Sequence, residues 1–167
     1  MVVMAPGEAT RAARSGPLRA HVLIFEARFY PKISDLLAEG ALAELSERGA
    51  TFERIVVPGA LEIPQALVAA VAARAAGRQA FDGAIALGCV IRGETAHYDI
   101  VCDNANHWLM DVATRQGVPV GNGILTVDAE AQAIARARGG RVGKGGDAAR
   151  ACLSLIELKR TFWGPAA

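Results

Sequence analysis

Aromatic residues are scarce in this chain: Phe, Trp and Tyr together make up 5% of its 167 residues. With hydrophobic residues at 52%, the core must be built from small aliphatic side chains. Charge of either sign is not in excess. A net charge of +1 gives no electrostatic footprint for nucleic acid or a membrane surface. There are only three cysteines, Cys89, Cys102 and Cys152. An odd number at wide spacing is no disulfide framework and suits the reducing cytoplasm. No apolar run approaches the length of a membrane span. Residues 1–20 contain Arg11, Arg14 and Arg19 but no apolar segment, so no secretory signal is expected there. With Pro6, Gly7, Ser15, Gly16 and Pro17 they read as a flexible N-terminal arm, followed by one domain over 21–167. Repeats, linkers and low-complexity segments are also missing.

What is present is alternation. His21 to Phe25 is a near-continuous apolar run, a strand buried on both faces. Pro31 suits the first turn of a helix in which Ile33, Leu36, Leu37, Ala41 and Leu45 recur at helical spacing, and Gly49 ends it. Phe52 to Val57 is a second strand, stopped by Pro58-Gly59, and an Ala/Val-rich helix follows to about Gly77. Ala84 to Leu87 is a third strand, ending through Gly88 and Cys89-Val90-Ile91 in the tight turn Arg92 to Thr95. Its helix runs from about His97 to Arg115. A fourth strand lies within 119–127, where Gly121 and Gly123 allow another backbone to approach. Asp128 can cap a helix from Ala129 to about Ala137. Arg138 to Gly146 reads as a basic, glycine-rich loop, and Asp147 opens a last helix to about Phe162. Strands alternating with helices predict an α/β fold, a parallel sheet covered on both faces.

In such sheets ligands bind beyond the carboxyl ends of the strands, and the unusual residues collect there. The turn after the third strand gathers backbone N–H groups beside a helix start, an arrangement suited to anions. His97 next to it is either a surface histidine beside an ordinary βα turn or a group for proton transfer on a phosphorylated substrate. Phe29 lies just past the first strand, either packing over the helix start or stacking on a flat ring. Glu62 is either a first-turn carboxylate favoured by the helix dipole or an acceptor for substrate hydroxyls. Cys89 at a strand end has no evident base beside it, which favours packing over nucleophilic catalysis. His97, Cys102 and His107 point about 0°, 140° and 280° round one helix and cannot converge on a metal. The cations Arg136 and Lys144 read either as a solvated face, with the helix end favouring an arginine, or as phosphate ligands, of which Arg136 is the better because its fork binds two oxygens.

Taken together the motifs Ala27-Arg28-Phe29, Val57 to Pro64, Gly88 to Asp99, Gly123-Ile124-Leu125-Thr126, Gln132 to Arg136 and Gly143-Lys144-Gly145 resemble lumazine synthase. The resemblance runs from about His21 to Phe162. It implies a flavodoxin-like three-layer αβα sandwich with a four-stranded parallel sheet. It also implies an enzyme that condenses 5-amino-6-(D-ribitylamino)uracil with 3,4-dihydroxy-2-butanone 4-phosphate to give 6,7-dimethyl-8-ribityllumazine, the penultimate step of riboflavin biosynthesis. Neither cofactor nor metal is implied.

Carried over by motif, Phe29 stacks on the pyrimidine, and Ala60, Leu61 and Glu62 hold the ribityl side. Cys89, Val90 and Ile91 line the ring edge, Glu94 and Thr95 bind phosphate, and His97 is the proton donor. The residues matching Asn122 and Arg136 come from an adjacent subunit in that family, which implies a homo-oligomer, a pentamer or a multiple of one. The chain departs from the pattern at three places. Asn122 stands where phenylalanine is common, which trades stacking area for hydrogen bonds. Tyr30 replaces a frequent asparagine, and Gly140 replaces a basic residue of some members. The alternative is a non-catalytic member that binds lumazine or flavin, or forms a shell; His97 and Arg136 together favour the enzyme, since ring binding needs neither.

Overall fold

The computed structural model describes residues 16–164. Four strands, β1 (His21–Ala27), β2 (Thr51–Val57), β3 (Gly83–Ile91) and β4 (Val120–Val127), form one sheet in the order β2-β1-β3-β4. Every pairing is parallel. Five helices connect them: α1 (Pro31–Glu47), α2 (Glu62–Ala75), α3 (His97–Gln116), α4 (Glu130–Ala137) and α5 (Lys144–Trp163). A single 3₁₀ turn, Gly140–Val142, precedes α5.

Successive side chains of a strand point to opposite faces, and the two cores follow that alternation. Val22, Ile24, Ile85 and Leu87 face α1, α4 and α5. Leu23, Phe25, Ala84 and Ala86 face α2 and α3. The result is the three-layer α/β sandwich expected from the strand–helix alternation. The α1 stripe packs as its spacing predicts: Ile33, Leu37, Ala41 and Leu45 are buried. The chain leaves that helix through Gly49 at φ +66°, a left-handed conformation that costs glycine little. Of the expected arm, residues 1–15 lie outside the described residues. Leu18 and Ala20 are buried, and the Leu18 N–H donates to the Arg48 carbonyl at 2.7 Å.

Four expectations need correction. Coverage is incomplete at β2: Thr51 to Arg54 and Val56 are exposed, because β2 is an edge strand that α1 and α2 cover only sparsely. β3 does not stop at Leu87 but continues through Gly88 to Ile91, paired with β4 all the way. Asp128 does not cap α4. Its carboxylate pairs with Arg92 at 3.0 Å, while its backbone N–H donates to Gln132 Oε1. The last helix begins at Lys144, not Asp147, so the glycine-rich loop is shorter than expected. Gly145 and Gly146 form its first turn because a Cβ at either would collide with the backbone of Leu37 or Arg141. Close packing there overrides the low helix propensity of glycine. The same logic applies to Gly121, which meets the Ala148 carbonyl of α5 directly.

Candidate functional site

The first crossover, through α1, passes on one face of the sheet, while α3 leaves β3 on the other. Neighbouring strands whose chains depart to opposite faces leave a crevice at their carboxyl ends, the usual ligand position in this architecture. A cavity of about 360 Å³ lies there. One wall is the end of β1 with Phe29 and Tyr30, and the second is Pro58 to Glu62 after β2. Cys89, Val90 and Ile91 form the floor, and Gly93, Thr95, His97, Tyr98 and Val101 the far rim.

The structure therefore brings together Phe29, Ala60, Leu61, Glu62, Cys89, Val90, Ile91, Thr95 and His97. Glu94 is in the turn but not on the cavity wall, and Asn122 and Arg136 are exposed elsewhere. Tyr30, noted in the sequence only as a departure from the family pattern, also lines the cavity, and Tyr98 and Val101 are lining residues that sequence reasoning did not single out. Positions 97, 98 and 101 share a helix face at i, i+1 and i+4, and that spacing is the signal by which the last two were findable.

Each wall has a local cause. The Phe29 ring is 71% exposed and touches Tyr30 edge-on, with centroids 5.1 Å apart, so packing over the helix start does not bury it. Glu62 opens α2, in keeping with the helix dipole, and its carboxylate lies against Gly59. Among the described residues, the N–H groups of Gly93, Glu94 and Thr95 donate to no backbone acceptor. The Thr95 hydroxyl accepts the N–H of His97 at 3.4 Å, where α3 begins. Free N–H groups beside a helix start are suited to an anion. Arg92 braces the turn: its guanidinium reaches Asp128 and Asp99 and lies 4.1 Å over the Tyr98 ring.

Beyond the cavity, Asn122 lies on the edge strand β4 and donates to Asn106 Oδ1 at 2.6 Å, and its Oδ1 accepts the N–H of Ile124. Arg136 projects from the last turn of α4, and Lys144 opens α5 paired with Asp147.

This arrangement offers a flat aromatic surface, a carboxylate, a histidine and a turn with free backbone N–H groups around one crevice. A family model described as 6,7-dimethyl-8-ribityllumazine synthase matches residues 19–160. The chain belongs to that family. A 6,7-dimethyl-8-ribityllumazine synthase of Agrobacterium fabrum is 51% identical over 146 residues, covering 87% of this chain and 99% of the relative. Others from Nitrobacter hamburgensis and Rhodopseudomonas palustris are 48% and 50% identical over 155 residues, 89% of this chain and 95% of each relative. Membership in the lumazine synthase family makes the chain an enzyme, a transferase of riboflavin biosynthesis. No helix among the described residues is long and apolar enough to cross a membrane.

Within this lumazine synthase cavity, Cys89 is not a ready nucleophile. Burial, with smaller contributions from Cys102 and Glu130, pushes its thiol up to about 11. At pH 8 such a group is ionised to roughly one part in a thousand, against about a quarter for a free cysteine. Native protein treated with iodoacetamide at pH 8 is expected to keep its activity, with Cys89 unlabelled by peptide mass mapping. Labelling of Cys89 should rise only as the pH approaches 11. Rapid inactivation at pH 8 with the label on Cys89 would show a reactive thiolate instead.

Proposed function

We propose that the cavity binds 5-amino-6-(D-ribitylamino)uracil against Phe29 and 3,4-dihydroxy-2-butanone 4-phosphate at the Gly93–Thr95 rim, with His97 moving protons between them. The observation that carries this reading is the convergence of an exposed aromatic ring, Glu62, the N–H-lined turn and His97 on one crevice. The amine of the pyrimidine attacks the ketone, and the carbinolamine loses water to an imine once its hydroxyl is protonated. His97 is the proton donor for that loss. The carbon beside the imine then gives up its proton as the C–O bond to phosphate breaks, and the rim's N–H groups hold the charge of the departing phosphate. The resulting enol tautomerises to a ketone, and attack of the ribitylamino nitrogen on it with loss of a second water gives the lumazine. Ala60, Leu61 and Glu62 hold the ribityl chain, Glu62 accepting from its hydroxyls. Cys89, Val90 and Ile91 close the ring edge, and Glu94 and Thr95 bind phosphate through the turn. Positioning both partners carries much of the acceleration, as expected for an amine meeting a reactive ketone.

The proposal includes a homo-oligomer, a pentamer or a multiple of one, with each cavity completed by a neighbour's Asn122 and Arg136. Its support is that both residues are exposed and lie off the cavity wall of their own chain. The cytoplasm is the proposed compartment, on the strength of three unpaired thiols. The test is to mix the two substrates with purified protein and follow the fluorescence of the lumazine, with sedimentation at the assay concentration. A monomer that turns over at full rate would remove the shared site, and no product would remove the reaction.

A further inference from the structure

The Phe29 ring is 71% exposed and meets the edge of the Tyr30 ring, so its position is set largely by the backbone on either side. After it, the Tyr30 carbonyl accepts both the N–H of Ser34 at 2.9 Å and its hydroxyl at 3.0 Å, which locks that residue to the first turn of α1. Before it, the hold comes from a buried charge. Glu26, one residue from the end of β1, is 1% exposed. A carboxylate so placed is costly unless it is paired and hydrogen-bonded. Arg54 of β2 grips it with both arms, Nε to Oε1 at 2.5 Å and Nη2 to Oε2 at 2.9 Å. Arg28 adds Nη1 to Oε2 at 3.2 Å and reaches on with Nη2 to Asp35 of α1 at 2.5 Å.

Alternation along β1 puts Glu26 on the face opposite Phe25 and Ala27, and Ala27 lines the cavity. Glu26 therefore has no part in touching substrate. Its two arginines lead to the two walls that do. Arg28 is followed at once by Phe29, and Arg54 lies in the strand that continues into Pro58 to Glu62. We infer that Glu26, through Arg28 and Arg54, is the positioning residue of the cavity's aromatic wall, fixing the Phe29 loop relative to the end of β2. The inference rests on the assignment of Phe29 to ring stacking made above. The stated geometry has a kinetic consequence: loosening the anchor lets the ring wander, which weakens pyrimidine binding more than it slows proton transfer at His97.

The experiment compares Arg28→Ala, Arg28→Lys, Glu26→Gln, Phe29→Ala and the double variant Arg28→Ala/Phe29→Ala. Each is measured for KM toward the ribitylaminouracil and for kcat, with thermal melting as the fold control. Arg28→Ala is expected to raise KM about five- to tenfold with kcat within about twofold, the pattern of lost binding in a reaction whose chemistry is unchanged. Arg28→Lys should recover part of the loss, since an ammonium satisfies one carboxylate but not both. In the Phe29→Ala background, removing Arg28 should add little, because the two act on one interaction. If Glu26→Gln lowers the melting temperature, Arg28→Ala still decides, being a partly exposed side chain outside the core. A KM effect of Arg28→Ala that persists in full without Phe29 overturns the inference, as does Arg28→Ala with an unmoved KM. An unmoved KM in Phe29→Ala overturns the stacking assignment itself, an outcome distinguishable from the other two.

Discussion

His97→Ala is expected to lower kcat about 10²–10⁴-fold, the range typical for one positioned acid–base residue, without abolishing product formation. The residue stands at the first position of α3, on the rim of the cavity and two residues beyond the N–H-rich turn. Nothing in its surroundings gives it a structural duty: the side chain is exposed, and α3 is held to the sheet by Val101, Ala105 and Leu109. The variant should therefore fold as well as its parent. It should also bind the ribitylaminouracil nearly as tightly, because Phe29 and residues 60–62 are on the opposite walls. Residual turnover would come from holding the two reactants side by side. The measurement is kcat for both proteins, with pyrimidine affinity by equilibrium titration. A variant with wild-type kcat would send the search for the acid to another residue.

Arg136→Ala is expected to lower kcat/KM for the phosphorylated ketone about 10–100-fold, the scale of a charged hydrogen bond removed from an anion. Arg136 donates to the Gln132 carbonyl at 3.1 Å and, among the described residues, pairs with no carboxylate, so its fork is open to an anion. By contrast, Arg141 and Arg150 are both paired with Glu44. Mixing tests where the anion belongs. When Arg136→Ala and His97→Ala subunits are unfolded, combined one to one and reassembled, a site built from two chains is intact in about a quarter of cases by random pairing in a cyclic oligomer. Activity should rise to about that fraction of wild type. Activity no higher than the average of the two variants would place Arg136 outside the neighbour's cavity.

The parts of the site legible in the sequence were those that break a pattern. Phe29 is an aromatic where a loop needs none, and the Gly88–Asp99 stretch joins a buried run to a helix start through a glycine turn. Both stand at strand ends, and the fold places both on the cavity. Less legible was anything decided by tertiary approach. The start of α5 was misread because glycine is a poor helix former in isolation, and only contact with α1 and the 3₁₀ turn makes Gly145 and Gly146 an advantage. Asp128 has the chemistry of a cap, but Arg92 takes its carboxylate from across the sheet end. β2 has the residue types of a strand, and its exposure follows from its place at the sheet edge, which local pattern does not report. The Glu26 anchor joins positions 28 residues apart in sequence, a separation that local patterns do not report.

The seating of α5 has a consequence for how the chain is made. Every residue on the cavity wall lies between Ala27 and Val101, so all of them leave the ribosome before α5 does. Yet Ile85 and Leu87, on the strand that carries the cavity floor, share their core with Ala149, Cys152, Leu153 and Ile156 of α5. A nascent chain halted before Lys144 holds the complete set of cavity residues on a sheet with one face partly bare to water. Because domains fold as cooperative units, that set becomes a working crevice only when the last helix slides its glycines against Leu37 and Arg141. Synthesis thus delivers the chemistry first and the clasp that shapes it last.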